Sequence, residues 1–280
     1  MSSFAGIDSG SWTTKAVVID AQARVLGSSV VRSGADLAAA AERAYAAALA
    51  GCGVARRDVS AMWATGFGRQ SVSFADGSRT ELDCHGRGAA FYVSGPLVVL
   101  DIGGQDAKVI RLDGLGRRLA HRMNRKCAAG TGSFLDEIAL RLGIEVQELD
   151  RLASGATEEL ELSSFCTVFA GTELLGLIRA GKKPADLARA AYQSLARRVL
   201  AMDVFQERIV ATGGVVAHHP TLVRLLSEQL HAPIVIPPHP QEMGAFGAAL
   251  AARDGTDSVG PDGDERSALA AAKLGGPDAG

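Results

Sequence analysis

Several features that mark specialised classes of protein are absent from this sequence of 280 residues. Its four cysteines are too few for the disulfide framework of a secreted protein, which indicates reduced thiols and a cytoplasmic location. The formal net charge of −2 gives no reason to expect nucleic acid as a partner. No apolar run reaches the roughly 18 residues that cross a bilayer, and the N-terminal stretch MSSFAGIDSG lacks the pattern of a signal peptide. We therefore expect a cytoplasmic protein that does not contact a membrane.

Two common nucleotide-binding motifs are also absent. No G-x-x-x-x-G-K-[ST] sequence occurs, which excludes a P-loop nucleotide hydrolase. No G-x-G-x-x-G opens a helix after the first predicted strand, which argues against a Rossmann dinucleotide site.

What is present is typical of a packed α/β protein, with 47% hydrophobic and 21% charged residues and a length that favours two domains. Strands mixed with helices of this length predict an α/β sandwich. From residue 254 to 280 the composition becomes rich in Gly, Asp and Pro, so we expect a disordered tail there. The apolar patterns predict strands at 4–8, 15–20, 24–31, 61–66, 97–104, 107–113, 117–124, 208–214 and 232–237, and helices at 35–50, 184–204, 219–230 and 241–253, with two more beginning near 131 and 166.

A strand–turn–strand pattern occurs twice at an offset of 93 residues. Both copies read D-x-G-x4-K-x4-D, which is too long a period for a solenoid repeat and predicts two related lobes. The first copy contains Asp8, Gly10, Lys15 and Asp20, and the second contains Asp101, Gly103, Lys108 and Asp113.

The turns of this repeat are candidates for a polyphosphate site. Each follows a buried strand that ends in an aspartate, in DSGSWTTK and DIGGQDAK, and a glycine turn aims several backbone N–H groups at one point. An aspartate on each turn can hold Mg²⁺ or its waters, because Mg²⁺ prefers oxygen ligands. A single such turn is more often an ordinary hairpin. With a third glycine turn, ATGGV at 211–215, the pattern favours a nucleotide.

Two of the four cysteines precede predicted helices. Cys127 lies just before Gly130-Thr131-Gly132, and Cys166 follows Ser163-Ser164, which are good N-cap residues. Helix N-termini lower thiol pKa values and favour anions. Two ligands per chain are too few for a [4Fe–4S] cluster, but a symmetric dimer would supply four, and a structural zinc is the alternative for four thiolates. Cys52 and Cys84 are interpreted as small buried hydrophobes.

The sequence resembles a known family in seven motifs that run in order from about residue 4 to 252. They are GIDSGSWTTK, ATGFGRQSV, DIGGQDAKVI, MNRKCAAGTGSFLD, SSFCTVFAG, TGGV and PQEMGAFGAALAA. Together they are similar to the BadF/BadG/BcrA/BcrD ATPase family, which includes activators of 2-hydroxyacyl-CoA dehydratases and ATP-binding subunits of benzoyl-CoA reductase.

The resemblance implies an acetate kinase/sugar kinase/Hsp70/actin-type fold, with two duplicated ribonuclease H-like lobes and ATP between them. We expect lobe I to comprise residues 1–94 plus 238–253, and lobe II residues 95–237. Asp8 and Asp101 are expected to act through Mg²⁺ and the attacking water, and Gln105 to orient that water or the γ-phosphate. The expected nucleotide contacts are Gly10, Ser11, Thr13, Thr14, Lys15, Gly103, Gly104 and Gln105 on the phosphates, and Thr212, Gly213 and Gly214 on the adenosine or α-phosphate side.

For the cysteines, the resemblance implies one [4Fe–4S] cluster shared by Cys127 and Cys166 of two chains, in a homodimer or with a homologous subunit. ATP hydrolysis would change the angle between the helices that begin at the cluster. A low-potential electron, supplied by a ferredoxin or flavodoxin, would then pass to an iron–sulfur acyl-CoA dehydratase or reductase.

Two departures leave the partner open. The dehydratase activators carry an acidic residue where this chain has Gly171, so CTVFAG-x-EL is more similar to the reductase subunits, whereas CAAGTG is more similar to the activators. A sugar kinase of the N-acetylglucosamine type and a non-catalytic nucleotide sensor are the competing functions. The kinase gives no reason for the pair Cys127 and Cys166, and ATP turnover that rises with a reductase partner would count against the sensor.

Overall fold

The first half of the protein forms a five-stranded sheet, as seen in a computed structural model that describes residues 2–124, 127–163 and 166–255. The strand order is β3-β2-β1-β4-β5. β1, β2 and β3 are antiparallel neighbours, and β4 and β5 continue the sheet parallel to β1. The elements are β1 (Ser3–Ser9), β2 (Thr13–Asp20), β3 (Val25–Arg32), α1 (Leu37–Cys52), β4 (Val59–Thr65), β5 (Gly77–Ser78) and α2 (Glu81–Tyr92).

The second half repeats this sheet, with the order β10-β9-β6-β7-β8. Again three antiparallel strands, β6 to β8, are followed by two that run parallel to the first of them. The strands are β6 (Leu97–Ile102), β7 (Ala107–Leu112), β8 (Arg118–Asn124), β9 (Arg208–Thr212) and β10 (Ile234–Val235). The helices are α3 (Gly132–Leu142), α4 (Leu149–Ser154), α5 (Thr167–Arg179), α6 (Pro184–Leu200), α7 (Gly214–His218), α8 (Pro220–Leu230) and α9 (Met243–Asp254).

The repeated residues occupy equivalent places in the two sheets. Asp8 pairs with Lys15 across β1 and β2, and Asp101 pairs with Lys108 across β6 and β7. The last aspartate of each repeat has a local structural role, because Asp20 accepts hydrogen bonds from the backbone of its own turn, as Asp113 does. The duplication predicted from the sequence is confirmed by this common topology.

Helices cover both faces of each sheet. α1 packs on one face of the first sheet and α9 on the other. α3, α6 and α8 bury one face of the second sheet, and α2 covers its opposite face. α2 also packs against α9, so this helix pair separates the two sheets. Since α2 contacts both halves, the lobe boundary at residues 94 and 95 stays a prediction.

The structure differs from the predicted elements in several places. α2 and α4 were not predicted, the helix at 219–230 is preceded by the short α7, and the strand at 232–237 is reduced to β10. α6 ends at Leu200 rather than 204, and most of the predicted tail lies outside the described residues, which end at 255. None of the helices in the described ranges combines the length and hydropathy of a bilayer span.

Candidate functional site

A cavity of about 270 Å³ lies where the two repeated turns face each other. It opens at the carboxyl ends of β1, β6 and β9, which the parallel pairing of the central strands brings to one edge of each sheet. The predicted residues that line it are Asp8, Gly10, Ser11, Thr13, Lys15, Asp101, Gly103, Gly104, Gln105, Gly213 and Gly214. The three turns predicted to hold a nucleotide thus converge on one cavity.

Two predicted contacts do not line the cavity. Thr14 is fully buried, with its hydroxyl 2.9 Å from that of Ser33. Thr212 is also fully buried and donates its hydroxyl to Asp101 Oδ1 at 2.9 Å. Both side chains are buried and hydrogen-bonded within the protein, so in this structure neither is placed to touch a molecule in the cavity.

The third turn requires glycine for a backbone reason. Gly213 has φ +100°, a conformation that L side chains rarely adopt, and a Cβ there would lie 2.3 Å from the carbonyl oxygen of Ile102. Its N–H donates to the carbonyl of Pro240 at 2.9 Å. The residue therefore allows β9 to pass close to β6 before α7 begins.

Asp8 retains an unsatisfied acceptor beside the cavity. The residue is 2% exposed, and its Oδ2 accepts from Lys15 Nζ at 3.1 Å. Among the described residues no donor lies within hydrogen-bond distance of its Oδ1. Burial alone would lower the pKa of Lys15, but the charge and hydrogen bond of Asp8 raise it above the usual value. A buried carboxylate oxygen without a donor is a fitting ligand for a cation or its water.

Asp101, the equivalent residue of the second repeat, is fully engaged. Its Oδ2 accepts from Lys108 at 3.2 Å, and its Oδ1 accepts from Thr212 and lies 3.3 Å from His85 Nδ1. Burial alone would raise the pKa of Asp101. His85 and Lys108, together with the hydrogen bond from Thr212, instead hold that pKa well below its usual value. The two aspartates are equivalent in sequence but not in chemistry.

α2 adds ionisable groups to the cavity wall. Ligand atoms of Glu81, His85 and Asp101 lie within 4.8 Å of one another. However, Lys108 Nζ lies 2.8 Å from Glu81 and also 2.8 Å from Asp106. Burial would lower the pKa of Lys108, but these carboxylates and Asp101 raise it well above the usual value. The ammonium group of Lys108 already contacts all three carboxylates, so we do not assign a metal to this cluster.

The third turn adds further polar side chains to the cavity wall. His219 Nδ1 lies 2.7 Å from the hydroxyl of the buried Tyr192, and His218 Nε2 lies 2.9 Å from Gln241 Oε1. Both histidines and Gln241 line the cavity, as does Gln147. These side chains can form hydrogen bonds to a heterocycle or a sugar.

Cys127 and Cys166 lie away from the cavity wall, and both are exposed. Cys127 is the N-cap of the 3₁₀ turn Ala128–Gly130, and its backbone N–H and carbonyl both bond the side chain of Asn124. Cys166 is itself the N-cap of α5, a position that we predicted for the preceding serines, of which Ser164 lies outside the described residues. Both thiols therefore stand at the start of helical turns.

The other two cysteines are packed inside. Cys52 is half-buried against the core of the first sheet, and burial raises the pKa of Cys84 to about 12. Neither is placed to bind a metal at the surface, in agreement with their interpretation as small hydrophobes.

The turn of the second repeat is hydrogen-bonded directly to the helix behind Cys127. The backbone N–H of Gly132 donates to the carbonyl of Gly103 at 2.9 Å, and that of Ser133 to Gly104 at 2.7 Å. The hydroxyl of Ser133 also donates to the Gly104 carbonyl, at 2.6 Å. A displacement of the Gly103–Gly104 turn must therefore move the N-terminus of α3.

Comparison with known proteins identifies the family. The sequence model of the BadF/BadG/BcrA/BcrD ATPase family matches residues 5–252. The chain belongs to this family. The 2-hydroxyisocaproyl-CoA dehydratase activator of Clostridioides difficile is 37% identical over 252 residues, which cover 89% of this chain and 94% of the relative.

Solved structures agree with this membership. The activator of the 2-hydroxyisocaproyl-CoA dehydratase from Clostridium difficile, with bound ADPNP, matches with a TM-score of 0.85 and 34% identity, over 99% of this chain and 100% of that one. A ROK family glucokinase from Streptomyces griseus in complex with glucose and AMPPNP matches with a TM-score of 0.57 and 15% identity, over 90% and 99% of the two chains. The sugar kinase-type fold with two related α/β lobes is confirmed.

In this member of the BadF/BadG/BcrA/BcrD family, most of the residues that line the cavity were not predicted from the sequence. The residues missed include Glu81 and His85 on α2, Arg32 on β3, and His218, His219 and Gln241 near the third turn. None of them lies in a glycine turn, and the i,i+4 spacing of Glu81 and His85 has a meaning only on α2, a helix that was not predicted. Trp12 was quoted within the first turn, but no role was assigned to it. In the structure its side chain packs against Gly104 across the cleft, where a Cβ on that glycine would collide with it.

Proposed function

We propose that the protein is an ATP-dependent activator that couples ATP hydrolysis to electron transfer through a [4Fe–4S] cluster at a subunit interface. The hydrogen bonds that join the Gly103–Gly104 turn to α3 carry this proposal, because they connect the cavity to the helix that begins behind Cys127. Membership of the ATPase family and the ADPNP-bound relative support ATP as the ligand of the cavity.

ATP would bind with its phosphates between the two repeated turns. Backbone N–H groups of the Gly10–Lys15 and Gly103–Gln105 turns would hold them, and Lys15 would add a positive charge at the cavity wall. Gln105 would orient the attacking water or the γ-phosphate. The nucleoside would lie beside Gly213 and Gly214, near the polar side chains of the third turn.

Asp8 is the better placed of the two aspartates to bind Mg²⁺ through water. Its Oδ1 is buried beside the cavity without a donor among the described residues, whereas both oxygens of Asp101 already have partners. Bound there, Mg²⁺ would supply positive charge that stabilises the negative charge developing on the phosphates. Asp101 is the less favourable ligand, because each of its oxygens already accepts a hydrogen bond.

Cys127 and Cys166 would each supply a thiolate to the cluster, and the same pair of a second subunit would complete the set of four. The residues fit this role, since both thiols are exposed and neither forms a disulfide. Val168 and Phe169, which follow Cys166, are 70% and 67% exposed, as expected of a surface that another chain covers. When bound, the cluster supplies a low-potential electron. A structural zinc would use the same ligands.

The partner would be an iron–sulfur acyl-CoA dehydratase or reductase, and a ferredoxin or flavodoxin would reduce the activator in the cytoplasm. The names of the relatives support a dehydratase. Gly171 lies against Arg141, and a Cβ there would come within 2.6 Å of its Nε. The acidic residue of other activators would therefore require this arginine to move.

The test is the iron content of cysteine variants purified without oxygen. Cys127→Ser and Cys166→Ser should lose iron and still bind ATP, because neither side chain lines the cavity. Cys52→Ser is the matched control and should retain wild-type iron. Iron at the wild-type level in either of the first two variants would disprove the cluster assignment, and zinc in place of iron would support the alternative. A sugar kinase would contain no iron at all.

A further inference from the structure

Arg198 lies directly under the turn that carries Cys127. It occupies the last turn of α6, and its guanidinium carbon lies 4.8 Å from the ring centre of Phe134 on α3. Its Nη1 donates to Ser194 Oγ at 2.6 Å, which anchors the side chain along α6. A Cβ on Gly130, three residues after Cys127, would lie 3.9 Å from the Cβ of Arg198. The half-buried side chain thus packs between α6 and the turn that carries Cys127.

The positive charge of Arg198 interacts with both exposed cysteines. Burial and the neighbouring Arg197 lower the pKa of Arg198, while the thiolate forms of Cys127 and Cys166 raise it. An arginine remains charged at neutral pH even so, because its pKa starts above about 12. The two cysteines come from separate segments of the chain. The charge of one guanidinium therefore acts on both Cys127 and Cys166.

We propose that Arg198 sets the charge environment of the Cys127 and Cys166 ligands and raises the reduction potential of the cluster that they hold. This inference rests on the proposed function. A thiolate-bound cluster becomes more negative when it accepts an electron, and a fixed positive charge nearby stabilises that form. The effect is large where water is partly excluded, as it is around a guanidinium packed on a phenylalanine ring. A second subunit would place its own Arg198 on the other side of the cluster.

The experiment is a potentiometric titration of the full-length, iron-loaded protein, followed by electron paramagnetic resonance. Arg198→Gln removes the charge and keeps hydrogen-bonding capacity, whereas Arg198→Lys keeps the charge. We expect a more negative midpoint potential in Arg198→Gln and a value near wild type in Arg198→Lys. Arg189→Gln, earlier on the same helix, is the matched control and should leave the potential unchanged.

The outcomes separate this inference from the proposed function. An unchanged potential in Arg198→Gln with full iron would overturn it. Loss of iron in Arg198→Gln but not in Arg198→Lys would support it, because the charge would then be needed to hold the ligands. Loss of iron in both variants would overturn it in favour of a packing role. Wild-type protein that binds no iron would instead refute the proposed function itself.

Discussion

Acidification should destabilise the protein through His219, which lies 5% exposed in the cavity wall. Burial lowers the pKa of His219 to about 4 from its usual 6.5; nearby Asp150 opposes this shift and His218 adds to it. Burial also raises the pKa of Tyr192, so its phenol stays protonated and donates to His219 Nδ1. The remaining proton of the neutral imidazole is then on Nε2. In a protonated His219 both nitrogens are donors, so this hydrogen bond would have to reverse its direction and a positive charge would be buried.

The magnitude follows from the difference between the folded and unfolded pKa values. The unfolded chain binds the proton near pH 6.5, and the folded protein only near pH 4. The contribution of the neutral His219 to the free energy of unfolding is therefore fully present above pH 6.5. It decreases as the pH falls from 6.5 to 4 and does not change further below pH 4. The difference of about 2.5 between the two pKa values corresponds to about 3.5 kcal/mol once the pH is below 4, at about 1.4 kcal/mol per pH unit.

Urea unfolding without nucleotide at pH 7, 5.5 and 4.5 would measure this effect. His219→Gln keeps an acceptor for Tyr192 but cannot titrate, so it should lose less stability over this range than wild type. Carboxylates that are stabilised in the folded state also lose stability on acidification, but they do so equally in both proteins. His231→Asn, at an exposed histidine, is the control and should behave as wild type. Parallel losses in wild type and His219→Gln would refute the reasoning.

Three further predictions concern the cavity and its link to the cysteines. Asp8→Asn and Asp101→Asn should each impair ATP hydrolysis more than ATP binding, measured by phosphate release and calorimetry; Asp101→Asn should also lower the unfolding free energy, by less than the ~3 kcal/mol typical of an unpaired buried charge, because Lys108 loses one carboxylate partner and keeps Glu81 and Asp106. Gly213→Val should yield little folded protein rather than a folded protein with blocked binding, since its Cβ would overlap the backbone of Ile102, and circular dichroism would detect this. Chelation of cluster iron should be faster with Mg·ATP than with Mg·ADP, and Ser133→Ala should reduce that difference; equal rates in wild type would mean that the cavity and the cluster are uncoupled.

The duplicated turns could be predicted because their signals are local. An aspartate that ends a buried strand, a glycine turn and a lysine on the next strand all lie within a few residues, and the hairpin itself brings Asp8 opposite Lys15. The cysteines were found in the same way, since each directly precedes a helical turn. Their position at helix starts is a property of short segments, so it did not depend on the packing of the lobes.

α2 was missed because two glycines interrupt its helical pattern. It contains Gly86 and Gly88, and glycine destabilises an isolated helix by about 1 kcal/mol relative to alanine. In the folded protein a Cβ on Gly88 would lie 2.7 Å from Met243 Sδ, and one on Gly247 of α9 would lie 1.8 Å from the carbonyl oxygen of Cys84. The helices approach so closely that only glycine fits, and that need appears only after α9 has packed.

The sequence alone determined which residues would form the turns and the cysteine caps, because hydrogen bonding and backbone geometry within a few residues decide them. Tertiary structure decided which charges and hydrogen-bond partners surround those residues. Asp8 and Asp101 have the same local sequence pattern, yet Asp101 alone has Thr212 from β9 and His85 from α2 beside it, while one oxygen of Asp8 has no donor among the residues that the structure describes. Arg198 reaches the Cys127 turn in the same way, from a helix that starts more than 50 residues later. The charges around a group depend on distances in space, and the chain sets those distances only when it is folded.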